Sequence, residues 1–276
     1  MSPEQIIVLA IVQGITEFLP ISSSGHLILI PVFTGWPDQG LATDVMVHVG
    51  SLVAVLAYFW RDCLSLLKGG LNLLRGKMTD DGRMVLYILA ATIPAVAFGL
   101  FLKASGASAM LRSVEIIAWN AIIFGIVLYV ADVVGKRIKS MEDMTLAPAM
   151  MIGVAQALAL IPGTSRSGIT MSAARLLGFE RAEAARFSFL LGIPAIAAAG
   201  LVTMLEFLEA GEGIPSDALW AAFLTFFSAL AAIALLMAVV KRTSFLIFVI
   251  YRLALGLLLF ALLYEWIPGF NLTLAA

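Results

Sequence analysis

Long apolar runs alternate with short polar segments along most of this 276-residue chain. Six of the runs are continuous and about twenty residues long, the length that an α-helix needs to cross the hydrocarbon core of a bilayer. They cover approximately residues 41–60, 84–104, 114–134, 183–205, 218–240 and 245–266. A transmembrane barrel would instead alternate polar and apolar residues over segments of about ten residues. The pattern therefore predicts an all-α polytopic membrane protein with six transmembrane helices.

Two further apolar stretches, residues 3–36 and 148–178, are each interrupted near the middle by a polar segment. The first segment reads PISSSGH over residues 20–26, and the second reads PGTSRSG over residues 162–168. Each half of such a stretch is too short to cross a bilayer, so we predict two re-entrant helical hairpins. Polar, helix-breaking sequence at membrane depth is tolerated only where protein or a water-filled cavity surrounds it. Both segments are therefore candidate functional sites.

Composition supports a membrane protein. Hydrophobic residues make up 62% of the chain and charged residues 13%, against about 25% charged residues in average soluble domains. We predict a single membrane domain over residues 1–276, with the lipid bilayer as its surroundings and no nucleic-acid partner. One cysteine, Cys63, and two histidines, His26 and His48, argue against a cysteine-rich zinc site or a multi-histidine metal centre.

The basic loops suggest an orientation. With three crossings in each half of the chain, the clusters of Lys and Arg at residues 61–83, 136–139 and 241–242 lie on one side, which the positive-inside rule assigns to the cytoplasm. We expect the longest polar connections, about 68–83 and 136–147, to be short cytoplasmic loops.

An odd number of crossings inverts the second half relative to the first, which predicts inverted repeats over about 1–135 and 148–270. Four residues around the first polar segment match four around the second at one constant offset: Gln13, Ser22, Ser24 and Gly25 against Gln156, Ser165, Ser167 and Gly168. Chance matching of common residues is the alternative explanation. Inverted repeats whose broken helices meet at the midplane are a known way to build a binding site.

The polar segments have the chemistry of a phosphate site. Serine and glycine at a helix start are N-cap residues, and helix N-termini bind anions. Arg166 adds a planar fork of donors that suits phosphate oxygens. For Ser22 and Ser24, capping or packing is the alternative role. We assign substrate-phosphate binding to Arg166, Ser22, Ser24, Thr164, Ser165, Ser167 and Thr170.

The first segment also supplies reactive groups. Gln13 and Glu17 lie four residues apart and so share a helix face. A carboxylate repels a phosphate unless a divalent cation lies between them, so we expect Mg²⁺ or Ca²⁺ bound by Glu17 and Gln13. His26 either attacks phosphorus directly or takes a proton from Ser23 as the nucleophile. The sequence leaves both routes open.

Three other ionisable residues lie inside predicted spans. Asp44 and His48 are four residues apart on one helix, where they either extend the polar cavity or pair with each other. Arg252 lies within the last span. We interpret it as a structural partner for a carbonyl or carboxylate.

Over nearly its full length the chain resembles the BacA-type undecaprenyl-diphosphatases, bacterial membrane enzymes also called bacitracin-resistance proteins. The resemblance lies in QGITEFLPISSSGHL (13–27), VMVHVGSLVAVLAYFWR (45–61), PGTSRSGITMS (162–172) and FSFLLGIP (187–194). The first and third resemble the family motifs E/Q-x-x-x-E and P-G-x-S-R-S-x-x-T. The resemblance implies hydrolysis of undecaprenyl diphosphate to undecaprenyl phosphate and inorganic phosphate, which recycles the lipid carrier for cell-wall synthesis and confers bacitracin resistance.

The resemblance also implies roles for individual residues: catalysis by Glu17, Ser23, His26 and Arg166, and metal dependence through Glu17 and Gln13. It implies an active site open to the outer, periplasmic face of the bacterial inner membrane. Gln13 stands where many members have glutamate, so we expect Glu17 to provide most of the metal binding. A lipid flippase or anion transporter of the same architecture is the alternative function. The sequence allows a homodimer without fixing the oligomeric state.

Overall fold

The computed structural model describes residues 1–107, 111, 113–209 and 213–266, apart from the side chains of residues 203 and 206–208. Residues 267–270, the end of the predicted second repeat, lie outside this range. The described part is helical and contains no strand. Its α-helices are α1 (Pro3–Phe18), α2 (Ser23–Thr34), α3 (Gly40–Tyr58), α4 (Trp60–Leu74), α5 (Asp80–Ser105), α6 (Val114–Val134), α7 (Leu146–Ala157), α8 (Arg166–Leu176), α9 (Arg181–Glu209), α10 (Ser216–Val240) and α11 (Leu246–Leu263).

Among the described residues, six helices are long and apolar enough to cross a membrane: α3, α5, α6, the part of α9 up to Val202, α10 and α11. They coincide with the six predicted runs and confirm a multi-pass membrane protein. Large apolar side chains on these helices face outward. Leu89 and Ile93 on α5, and Trp220 on α10, are each more than half exposed. An apolar exterior of this kind suits a protein surrounded by lipid.

The predicted loop at residues 68–83 is wrong for its first part, because α4 continues to Leu74. Leu64, Leu67 and Leu71 recur at a spacing of three to four residues, which is the pattern of an amphipathic helix. Cys63, also on α4, packs partly buried against the core. Burial raises the pKa of the Cys63 thiol, which keeps the thiol in its unreactive protonated form.

Helix packing brings the two polar segments together. The first segment connects α1 to α2 and the second connects α7 to α8. α1 packs along α10, and α7 packs in a corresponding way along α5, while α8 contacts α6 and α9. The contact of α1 with α10 in one half corresponds to the contact of α7 with α5 in the other, as expected if the two halves are repeats. The inverted repeat itself, and re-entry of both helix pairs into the bilayer, remain predictions.

A buried aromatic cluster supports the first polar segment. Phe18, the last residue of α1, meets Phe189 of α9 edge to face with ring centroids 5.3 Å apart. Phe59 packs against the same ring at 5.8 Å. Phe18 and Phe189 are fully buried, so the end of α1 is fixed against α9. This contact places Glu17 beside the residues that precede Phe189.

Candidate active site

The first Ser-rich segment forms a tight turn that begins α2. Ser22 is the N-cap, and its Oγ accepts a hydrogen bond from the Gly25 N–H at 3.4 Å. Its backbone adopts a φ of 76°. A positive φ outside glycine costs about 1–3 kcal/mol and persists only where surrounding contacts enforce it.

The second segment repeats this geometry at the start of α8. Ser165 is the N-cap with a φ of 72°, and its Oγ accepts from the Gly168 N–H at 3.1 Å. Ser22 therefore has the capping role that the sequence left open as its alternative, and Ser165 caps α8 in the same way. The two turns also touch, because Ser167 Oγ donates to the carbonyl of Leu19 at 3.0 Å.

Arg252 of α11 hydrogen-bonds to both turns. Its fully buried guanidinium donates to the Pro20 carbonyl at 3.2 Å and to the Gly163 and Thr164 carbonyls at 2.8 and 3.0 Å. Two further bonds reach backbone carbonyls of α6. The interpretation of Arg252 as a structural partner for carbonyls is confirmed. One side chain thus holds both strained turns in a fixed relation.

Glu17 is the centre of the site and is almost completely buried. Its Oε2 accepts hydrogen bonds from Ser23 Oγ at 2.6 Å and from Gln13 Nε2 at 3.2 Å. Its Oε1 accepts from Arg166 Nη2 at 3.0 Å. The carboxylate therefore connects the predicted nucleophile of one turn to the predicted phosphate-binding cation of the other.

The guanidinium of Arg166 also contacts α9. Its Nη1 donates to the Ser188 carbonyl at 3.0 Å, and it lies against Gly192. A Cβ at residue 192 would lie only 2.2 Å from Arg166 Nη1. Any side chain at position 192 would therefore push the Arg166 guanidinium out of its place.

We expect Gly192→Ala to displace the guanidinium and to lower kcat/KM of the reaction at this site about 100-fold, the scale of a misplacement near 1 Å. Gly70→Ala is the matched control, since Gly70 is also a helical glycine and a Cβ there would meet no neighbouring atom within 4 Å. Kinetic measurement of both variants checks the effect. Equal activities of the two would contradict it.

A cavity of about 340 Å³ opens beside Glu17. Of the predicted site residues, Glu17, Ser22, Ser23, Ser24, Ser165 and Arg166 line it. Its remaining wall is largely apolar and includes Leu41, Val45 and Ile196. A polar end next to an apolar wall suits an amphiphile with a charged headgroup.

Three predicted phosphate-binding residues do not line this cavity: Thr164, Ser167 and Thr170. All three are fully buried. Thr170 Oγ1 donates back to the Arg166 carbonyl at 2.7 Å, as helical threonines often do. The hydroxyls of Ser167 and Thr170 bond within and between the turns, whereas Thr164 Oγ1 is buried without a partner among the described residues.

His26 also lies apart from the cavity lining, which differs from the expected placement beside Ser23. Its Nδ1 donates to the Ser22 carbonyl at 2.6 Å, which leaves Nε2 of the neutral ring to accept from the Tyr251 hydroxyl at 2.6 Å. The ring also stacks on that of Tyr251 at a centroid distance of 5.7 Å. These partners hold His26 against α11.

His48 brings a different imidazole to the site. Its Nε2 lies 3.5 Å from Glu17 Oε2, and both His48 and Asp44 line the cavity. His48 Nδ1 donates to the backbone carbonyl of Asp44 at 2.6 Å, while the Asp44 carboxylate accepts from Gln39. Of the two predicted alternatives, the pair extends the cavity. The sequence indicated this role through two polar residues, Asp44 and His48, four positions apart on an apolar span.

One further residue, Gln156 of α7, lines the same cavity as Glu17. Its side chain is nearly fully buried, and neither Nε2 nor Oε1 has a hydrogen-bond partner in the described part of the chain. Sequence matching related Gln156 to Gln13 without giving it a role. Buried amide groups are normally paired, so this unpaired amide in the cavity wall is a candidate for binding a ligand.

Comparison of the sequence with known proteins identifies the family of this chain. The family model described as bacitracin resistance protein BacA matches residues 6–258. The chain is 49% identical to the undecaprenyl-diphosphatase of Erythrobacter litoralis, over 93% of this chain and 98% of that protein. It is 50% identical to the undecaprenyl-diphosphatase of Chromohalobacter salexigens, over 92% of this chain and 96% of that protein. The chain therefore belongs to the BacA family.

Proposed function

We propose that this protein hydrolyses undecaprenyl diphosphate to undecaprenyl phosphate and inorganic phosphate, and thereby recycles the lipid carrier of cell-wall synthesis and confers bacitracin resistance. The names of its relatives support the substrate. The observation that carries the proposal is the 2.6 Å hydrogen bond from Ser23 Oγ to Glu17, in a cavity that also holds Arg166. A hydroxyl on a carboxylate beside a guanidinium is an activated nucleophile with an anion-binding partner. Phosphate release from undecaprenyl diphosphate by the purified protein tests it.

The geometry favours Ser23 over His26 as the nucleophile, because Ser23 lines the cavity and His26 is engaged with Tyr251. Ser23 Oγ attacks the terminal phosphorus while its proton passes to Glu17. An O–P bond forms as the bond to the bridging oxygen breaks, and undecaprenyl phosphate leaves. Water then hydrolyses the phosphoserine and releases inorganic phosphate. Arg166 binds the non-bridging oxygens throughout.

Gln156 has the position of a substrate-binding residue. We propose that its Nε2 donates to a phosphate oxygen across the cavity from Arg166. The unpaired amide costs stability in the free protein, and the ligand relieves that cost.

Gln156→Leu separates binding from folding. We expect kcat/KM to fall about tenfold, the value of one hydrogen bond to a charged group. The thermal unfolding temperature should stay the same or rise, because the variant removes two unpaired buried groups. Parallel kinetic and unfolding measurements check both effects. Full activity, or a large loss of stability, would contradict this role.

The donor set around Glu17 fits a hard divalent cation such as Mg²⁺ or Ca²⁺. Gln13 Oε1 is buried beside Glu17 without a hydrogen-bond partner among the described residues. In the same part of the chain no three His, Cys, Asp or Glu residues form a metal-binding group. A magnesium ion held by one carboxylate, an amide oxygen and substrate phosphates needs no such group. We propose that Glu17 and Gln13 hold the ion, which neutralises phosphate charge when bound.

Chelation tests this site. We expect EDTA to abolish phosphate release and added Mg²⁺ or Ca²⁺ to restore it. Gln13→Glu adds a charged ligand, so half-maximal activation should move to a metal concentration roughly tenfold lower. Activity that is unaffected by EDTA, or an unchanged metal requirement in Gln13→Glu, would contradict metal binding at Glu17 and Gln13.

We also propose that the protein lies in the bacterial inner membrane with its cavity open to the periplasm. The basic loops support this orientation through the positive-inside rule. Leu41 lies at the cavity wall and is exposed. In a Cys63→Ser background, Leu41→Cys should react with a membrane-impermeant thiol reagent added to intact spheroplasts. Reaction only after lysis would reverse the orientation. A homodimer remains a prediction.

A lipid flippase or anion transporter would share this architecture. A carrier needs a cation for the headgroup, but it does not need a serine hydroxyl on a buried carboxylate. In detergent, where no second membrane face exists, a carrier would leave the diphosphate intact. Phosphate release under those conditions therefore separates the two functions.

A further inference from the structure

A second cavity, of about 350 Å³, lies between the end of α6 and the start of α11. It shares no lining residue with the candidate active site. Its polar lining includes Arg137 and Arg181, and its apolar lining includes Val133 and Leu246. The neighbouring loops carry the basic residues that we predict to face the cytoplasm.

Positive charge exceeds negative charge around this cavity. Asp132 is the carboxylate in its lining, and Arg181 donates to both of its oxygens at 2.6 and 2.8 Å. Arg175, fully buried behind it, donates to the same carboxylate at 3.2 Å. Arg137 adds a third guanidinium that is exposed and has no hydrogen bond or ion pair to a described residue. Two guanidinium groups therefore bind one carboxylate, and Arg137 adds a further positive charge to the cavity lining.

An excess of cations at the edge of a membrane protein favours an anion. Arg181 is already paired with Asp132, so the exposed Arg137 carries the excess charge, and its guanidinium fork matches phosphate oxygens. The start of α11 adds its positive dipole end. One backbone N–H at this helix start already has a partner, because the Phe245 N–H donates to Asp132 at 3.2 Å.

The apolar wall indicates that the anion is attached to a lipid. Val133 is 64% exposed and Leu246 is 45% exposed, so this wall continues onto the outer, lipid-facing surface of α6 and α11. A free phosphate ion would gain nothing from that surface, whereas acyl chains would bury it. Basic pockets between transmembrane helices are known to bind anionic headgroups.

We propose that this second cavity binds the phosphate of an anionic membrane phospholipid, with Arg137 and Arg181 on the phosphate and the acyl chains along Val133 and Leu246. The site is independent of diphosphate hydrolysis. It adds a lipid ligand to a chain whose catalytic cavity lies elsewhere.

Native mass spectrometry of the full-length protein tests the proposal, with phosphatidylglycerol, phosphatidylcholine or inorganic phosphate added separately. We expect phosphatidylglycerol to bind in preference to phosphatidylcholine. Arg137→Gln should weaken phosphatidylglycerol binding about tenfold, as expected for loss of a charge-assisted hydrogen bond. Lys136→Gln is the matched control, because Lys136 is exposed next to Arg137 and its side chain is not in the cavity lining.

The outcomes separate the explanations. Equal binding of the two phospholipids, or equal weakening by Arg137→Gln and Lys136→Gln, would overturn the proposal in favour of diffuse surface attraction. Inorganic phosphate that binds as tightly as phosphatidylglycerol would overturn the lipid part. Both variants should retain wild-type phosphate release, which shows that they are folded.

Discussion

Replacement of Ser23 by alanine is expected to lower kcat about 10⁴-fold or more, as loss of a catalytic nucleophile does in other hydrolases. Ser23 Oγ is the hydroxyl that donates to Glu17 at 2.6 Å, and it lines the cavity that contains Arg166. Removal of the hydroxyl takes away the attacking atom and leaves the phosphate-binding groups in place. KM should therefore change little compared with kcat.

Ser51→Ala is the matched control for this variant. Ser51 is also a buried serine, but its hydroxyl donates to the Val47 carbonyl within α3 and does not line the cavity. We expect its activity to stay near that of the wild type. If His26→Ala abolished activity while Ser23→Ala retained it, direct attack by the histidine would replace the serine route.

Loss of Arg166 has the second large effect. We expect Arg166→Ala to lower kcat/KM about 10³-fold or more, the scale found for arginines that stabilise phosphoryl transfer. Its guanidinium is the cation that the structure places on Glu17 and at the cavity wall. Without it, the phosphate loses a bidentate partner and the buried Glu17 carboxylate loses its counter-ion.

Arg166→Lys distinguishes the contribution of the planar guanidinium donors from that of the positive charge. A lysine keeps the positive charge but has no planar pair of donors, so we expect it to recover only a small part of the activity. Steady-state kinetics on the three proteins, with unfolding temperatures measured in parallel, check this prediction. Wild-type activity in Arg166→Ala would exclude the arginine from substrate binding.

The lengths of the continuous apolar runs predicted most of the fold, because the length of a membrane-spanning helix is set by the thickness of the bilayer. The six spans follow from their apolar runs, and the turns at Ser22 and Ser165 follow from capping chemistry. α4 was missed because Arg61, Asp62 and Lys68 interrupt its apolar residues, so it contains no continuous apolar run of spanning length.

The candidate site was predictable in part. Glu17, Gln13, Ser23 and Arg166 do meet, because each lies beside a turn that breaks an apolar helix. The sequence could not place His26, whose orientation depends on Tyr251, a residue 225 positions away. It likewise gave no contact for Arg252, since the carbonyls it binds come from three separate segments.

The central claim is that both polar turns hold one diphosphate headgroup in the cavity beside Glu17. A structure of the protein bound to a methylene-bridged, non-hydrolysable analogue of the lipid diphosphate tests it most directly. We predict the terminal phosphorus next to Ser23 Oγ, with its oxygens bonded to the Arg166 guanidinium. A headgroup found against His26 and Tyr251, outside that cavity, would contradict the account.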